Sequence, residues 1–182
     1  MLLAALLTLG SLQEVNAQCN SSKNHKKVKS YTRSHDDIVD IAISSDVHTT
    51  LVAAVKAAGL VNTLKSDGPF TVFAPTNLAF DRLPKGTVET LLKPENKSTL
   101  IDVLTYHVIP TRLSAENLVA AINAAGGSFT MSTVQGNNLT ATMKGNHVIL
   151  KDTKGGISKI TTTDLKGTNG FVHVIDAVVL PN

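Results

Sequence analysis

Phe70-Thr71-Val72-Phe73-Ala74-Pro75-Thr76-Asn77-Leu78-Ala79-Phe80 is the stretch on which the reading of this chain turns. Phe70 to Ala74 is aromatic and β-branched, the composition of a strand. Pro75 ends it, because proline cannot donate to a ladder. Thr76 and Asn77 are N-cap residue types, so a short helix is expected from there through Leu83. A second stretch near the other end, Gly170 to Pro181 (GFVHVIDAVVLP), predicts a strand over Phe171–Leu180. Its odd positions (Phe171, His173, Ile175, Ala177, Val179) and its even positions (Val172, Val174, Asp176, Val178, Leu180) are both mostly apolar. A strand of that kind is expected to be covered on both faces.

Upstream of Phe70 the apolar spacing is helical. Ile38, Val39, Ile41 and Ala42 share one face, with Asp36 and Asp37 as caps. Leu51, Val52, Val55 and Ala58 form a second stripe closed by Gly59, and Leu60, Val61 and Leu64 a further turn. Between Pro84 and Pro94 stand Val88, Leu91 and Leu92, and Ser98–Leu104 reads as a helix. Thr105–Ile109 reads as a short strand stopped by Pro110, and Ser114 opens a helix closed by Gly126-Gly127. Beyond it, Phe129–Val134, Leu139–Met143, Val148–Leu150 and Ile157–Thr163 alternate with glycine turns, the pattern of a hairpin meander. Helices first and strands afterwards indicate an α+β fold.

The chain has 182 residues, 42% of them hydrophobic and 17% charged, which suits one domain with a self-sufficient core. Wholesale disorder and a disulfide scaffold are excluded by that composition. Residues 1–17 are expected to be a signal peptide, with the apolar run MLLAALLTL and a cleavage site after Ala17. Cys19, the single cysteine, follows Gln18, where a lipidation site would place a small residue. Residues 18–34 carry Lys23, Lys26, Lys27, Lys29 and Arg33 and no acid, and read as a basic flexible arm. Residues 35–182 hold 12 basic and 13 acidic residues and form the single folded domain. The overall charge of +3 therefore lies in the arm and does not by itself imply nucleic acid.

The motifs FTVFAPTNLAF and GFVHVIDAVVLP, with the central LTYHVIP, resemble the fasciclin-type domain over roughly Asp36 to Pro181. The resemblance implies a wedge-shaped β-sandwich of about seven strands with helices packed on one side. It also implies adhesion or extracellular-matrix interaction without catalysis. Within the motifs, Phe73, Pro75, Thr76, Asn77, His173 and Asp176 are expected to be structural. Animal matrix members are credited with integrin binding through Tyr-His and Asp-Ile motifs. Tyr106-His107 matches the first, and Asp164-Leu165 is similar to the second with Leu in place of Ile. Those four are the candidate partner-binding residues, weighed against burial of Tyr106 and His107 and plain turn chemistry for an exposed Asp164-Leu165 loop.

Motifs for enzymatic chemistry do not occur: there is no Gly-x-Ser-x-Gly elbow, phosphate loop, dinucleotide glycine pattern or His-Glu-x-x-His. The six histidines (25, 35, 48, 107, 147, 173) never stand at close ligand spacing, so no metal or cofactor is expected. Asn20, Asn96 and Asn138 head glycosylation sequons. The expectation is a secreted or periplasmic, surface-associated monomer that binds a cell-surface or matrix protein or polysaccharide. It would bind no nucleic acid and would meet a membrane only through surface attachment. The alternative is a carrier of a small apolar ligand in a gap between helices and sheet.

Overall fold

The two deciding stretches lie side by side. Strand β1 (Phe70–Pro75) pairs in parallel with β7 (Gly170–Ile175), in register from Phe70 opposite Gly170 to Pro75 opposite Ile175. This is a computed structural model, and it describes residues 36–181; the expected leader 1–17, the arm 18–34 and Cys19 lie outside the described residues. The register depends on Gly170, where a Cβ would run into the Phe70 carbonyl. A parallel pair needs a long crossover. Here every other described element falls between the two strands or just before β1.

Strand β2 (Val108–Ile109) adds to the free side of β1. On the other side the meander runs back from β7 through β6 (Ile157–Lys166), β5 (His147–Lys151), β4 (Asn138–Lys144) and β3 (Ser128–Ser132). β6 is shared: its start pairs with β5 and its remainder with β7, with irregularities between Ile160 and Thr162 and between Thr162 and Leu165. Phe73, Ile175, Ile160, Leu150, Leu139 and Met131 meet in one cluster, so the sheet curls over until its inner faces pack together. That is the α+β sandwich that the sequence predicts.

Seven α-helices occur among the described residues. Ile38–Ile43 (α1), Thr49–Ala58 (α2), Val61–Leu64 (α3), Asn77–Asp81 (α4), Thr87–Leu91 (α5) and Lys97–Tyr106 (α6) bring apolar side chains to the outer face of β1 and β7. There Ala74 and Val172 meet Val39, Leu51, Val55 and Leu104. Ala115–Ala124 (α7) packs instead against β3 and β4, with Leu118 and Ile122 in the inner cluster. The two-sided burial expected of β7 is therefore present.

Four local expectations change. Tyr106 closes α6 and His107 is its C-cap, so the predicted strand over Thr105–Ile109 shrinks to two residues. Thr105 Oγ1 donates to the Ile101 carbonyl, one helical turn back, so its β preference yields to the helix. β7 stops at Ile175 rather than Leu180. Asp176 turns to bind Lys159 through both main chain and side chain, and Leu180 N–H donates to Asp152. α4 ends at Asp81 rather than Leu83. Asp164-Leu165 is no loop: β6 runs through it to Lys166, and Asp164 has φ 59° at an irregularity in the ladder.

No feature of the sequence marks Asn169, which stands just before the Gly170 contact. It is buried, its Oδ1 accepts from Ile38 N–H at 3.1 Å, and its Nδ2 donates to the Leu64 and Ser66 carbonyls at 2.8 Å. Its own carbonyl accepts from Phe70 N–H at 3.0 Å. Its side-chain amide thus ties α1 to the end of α3, and its main-chain carbonyl joins β1 to the start of β7, with its polar side-chain atoms satisfied. Asn169→Ala should orphan one donor and two acceptors and lower unfolding free energy by about 2–4 kcal/mol. Urea denaturation checks this, and an unchanged midpoint would contradict the role.

Candidate functional site

Tyr106 and His107 face inward. Tyr106 is 0% and His107 3% exposed. The Tyr106 hydroxyl donates to the Asn138 carbonyl at 2.8 Å, tying the end of α6 to β4. His107 Nδ1 lies 2.7 Å from the Val103 carbonyl, and its Nε2 accepts from Val179 N–H at 3.3 Å. Those partners fix the neutral ring with its proton on Nδ1. Burial pushes the His107 pKa down to about 4, against the smaller upward pull of the Val103 carbonyl.

His173, 0% exposed, is held in the same way. Its Nε2 lies 2.9 Å from the Leu113 carbonyl, and its Nδ1 accepts from Asp164 N–H at 3.3 Å. Burial lowers its pKa too. Its ring lies between Phe73 (centroids 5.8 Å apart) and Phe171 (6.4 Å). Asp164 therefore stands at a bulge gripped from inside by His173, and its carboxylate caps α7 by accepting from Ala115 N–H at 2.8 Å. Asp164 is exposed, while Leu165 is half-buried against the helix-side cluster. The structure thus joins Asp164 to the second motif and leaves Tyr106-His107 in a different place.

The first motif is also occupied internally. Phe73 and Pro75 are buried, and Thr76 Oγ1 accepts from Ala79 N–H as the cap of α4. Asn77 does not cap the same helix, as its position in sequence suggested. Its Oδ1 accepts from Thr50 N–H at 3.0 Å and its Nδ2 donates to the Asp46 carbonyl at 3.2 Å. It thereby caps α2, whose own N-cap residue His48 makes no such bond. Asp176 accepts from Lys159 N–H at 2.8 Å and pairs with Arg82 at 3.4 Å.

Ser45 Oγ and His48 Nδ1 are 2.8 Å apart, a hydroxyl–imidazole pair that invites comparison with a nucleophile and its base. His48 is buried, its Nε2 lies near the Ala74 carbonyl without a well-formed hydrogen bond, and burial depresses its pKa against the smaller upward pull of that carbonyl. Neither residue lines the apolar cavity beneath α1 and α2. That cavity encloses about 40 Å³ among Ile38, Leu51, Val55, Val61, Val72 and Leu104. Among the described residues no group of three or more His, Cys, Asp or Glu side chains is placed to hold a metal ion. No described helix is long and apolar enough to cross a membrane.

The buried imidazoles make stability depend on pH. Unfolded His107 titrates near 6.5 and folded His107 near 4, so the unfolded chain binds more protons between those values. The contribution is complete above pH 6.5 and is lost as the pH falls toward 4, by roughly 3 kcal/mol for this residue alone. His48 and His173 act in the same direction. Denaturation curves from pH 7 to 4 should show this decline. His107→Ala should lower stability at pH 7 by about 2–4 kcal/mol and flatten the acid limb. A wild-type curve level across that window would contradict the assignment.

Comparison with known proteins gives the same fold. A family model described as Fasciclin domain matches residues 46–181. Protein sll1483 of Synechocystis sp. is 44% identical over 148 residues, covering 79% of this chain and 73% of the relative. Immunogenic protein MPB70 of Mycobacterium bovis is 35% identical over 153 residues, covering 81% and 70%. Periostin of Homo sapiens is 29% identical over 145 residues, covering 80% of this chain and 16% of that protein. Among solved structures, a FAS1 domain pair from the insect cell adhesion molecule Fasciclin I aligns with a TM-score of 0.55 at 19% identity. That alignment covers 71% of this chain and 43% of the other. With its two motifs paired as central strands and the family model spanning most of its length, the chain belongs to the fasciclin domain family.

Proposed function

We propose that this chain is a non-catalytic adhesion module, exported from the cell, that binds a cell-surface or matrix protein or polysaccharide as a monomer. One observation carries the reading. The polar residues of the family motifs are engaged with the protein's own backbone, so recognition falls to the exposed surface of the sheet and its loops. A structurally similar domain pair belongs to an insect cell adhesion molecule, which supports the same class. The apolar leader, read as a secretion signal, supports export.

The carrier reading is weaker. A cavity of about 40 Å³ has room for little more than a water or two, whereas a small-molecule site needs roughly 300 Å³ or more. Surfaces coated with the folded protein should support dose-dependent attachment of cells or matrix extract, and heat-unfolded protein should not. Equal attachment to both, or a stoichiometric apolar ligand found by native mass spectrometry, would contradict the adhesion reading.

A further inference from the structure

The outer face of the meander carries a pattern that neither the motifs nor the core explains. Side chains alternate across a sheet, so the residues between the buried Leu139, Ala141, Val148, Leu150, Ser158 and Ile160 point outward together. On β3 and β4 they are hydroxyls: Thr130 stands opposite Thr140 and Ser128 opposite Thr142. On β4, β5 and β6 they include Lys144, Lys151 and Lys159. Lys144 faces His147 across the β4–β5 pair. Lys159 faces Ile149, which sets it diagonal to both His147 and Lys151, a spacing of roughly 7–8 Å.

Among the described residues no ion pair involves these cations. Residues 128–166 contain five lysines and two aspartates, a net of +3. Asp152 is buried and occupied with the amides of Lys154, Gly156 and Leu180, and Asp164 is occupied at the start of α7. The ion pairs among the described residues involve Lys65 and Arg82, on the helical side. Residues 36–127, which hold the described helices, carry seven basic and ten acidic residues, a net of −3. The net charge of the domain is therefore polarised, and Lys144, Lys151 and Lys159 stand together on one open face of its basic side. Like charges set diagonally on a sheet repel mildly, and a polyanion laid across them would relieve that repulsion.

We propose that this face binds an anionic polysaccharide. Strands 4.7–4.9 Å apart repeat hydroxyl donors and acceptors at about the scale of a sugar chain's own hydroxyls, and the lysines meet its carboxylates or sulfates. The face has no Phe, Tyr or Trp, and the single His147 ring is its only aromatic surface for a nucleobase; it presents no apolar wedge beyond Ile149 and Ile157 for a bilayer. The inference rests on the adhesion reading and names its partner class and surface.

The test uses the full chain with immobilised dextran sulfate, alginate and neutral dextran, alongside phosphatidylglycerol vesicles and duplex DNA. The parent should bind the two anionic polysaccharides in a salt-sensitive manner and ignore dextran. A Lys144→Gln, Lys151→Gln, Lys159→Gln triple variant should lose about tenfold in affinity with its melting temperature unchanged. A Lys85→Gln, Lys93→Gln variant on the helical side should bind like the parent. Undiminished binding by the triple variant would overturn the proposal. So would loss only on replacing Lys23, Lys26, Lys27 and Lys29 of the arm, or tighter binding to vesicles or DNA than to polysaccharide. Attachment of cells to a protein that ignores both anionic polysaccharides would overturn this inference and leave the adhesion reading standing.

Discussion

The parallel pairing of β1 with β7 is the contact on which the other elements depend. It brings together two strands nearly a hundred residues apart, and it closes only because the Gly170 backbone can approach Phe70 without a Cβ between them. From that pair β2 extends one edge and the meander the other. The outer face of the pair is the floor on which α1, α2 and α6 sit, and its inner face supplies Phe73 and Ile175 to the second core. Asn169 fastens the junction from the side, because its side-chain amide reaches backbone groups in α1, at the end of α3 and in the loop that follows it.

The same constraint decides what the motif residues can do. Strands covered on both faces have no surface to offer, so their polar side chains must find partners inside. His173 holds the β6 bulge and the Leu113 carbonyl, Asn77 caps α2, and His107 bridges α6 to the tail at Val179. Each forms a long-range tie between elements. Free surface is left to elements with one open face. The meander is such an element, and its free face carries the lysines and hydroxyls.

Local features were legible from sequence because their causes are local. Asp37 and Ser114 cap the helices they precede, Gly59 ends α2 in the left-handed region, and the glycine turns delimit the meander strands. The departures occur where a distant residue decides. Tyr106 joins α6 because its hydroxyl reaches Asn138, and Asp176 leaves the ladder to bind Lys159. Asn77 serves a helix that precedes it by 28 residues rather than its own. Lys144, Lys151 and Lys159 each show the period-two alternation of a half-exposed strand. Only the register of β4, β5 and β6 shows that they share one face.

Native-state hydrogen exchange tests the dependence on β1 and β7 most directly, since the last amides to exchange mark the element whose opening requires global unfolding. The account predicts that the amides of Val72, Ala74, His173 and Ile175, which alternate across the β1–β7 ladder, exchange last, at the rate of global unfolding. The meander strands β3–β5 and the short helices α3–α5 should exchange earlier. Amides of β3–β5 that outlast those of β1 and β7 would contradict it, and would place the stable centre of the fold in the hairpins instead.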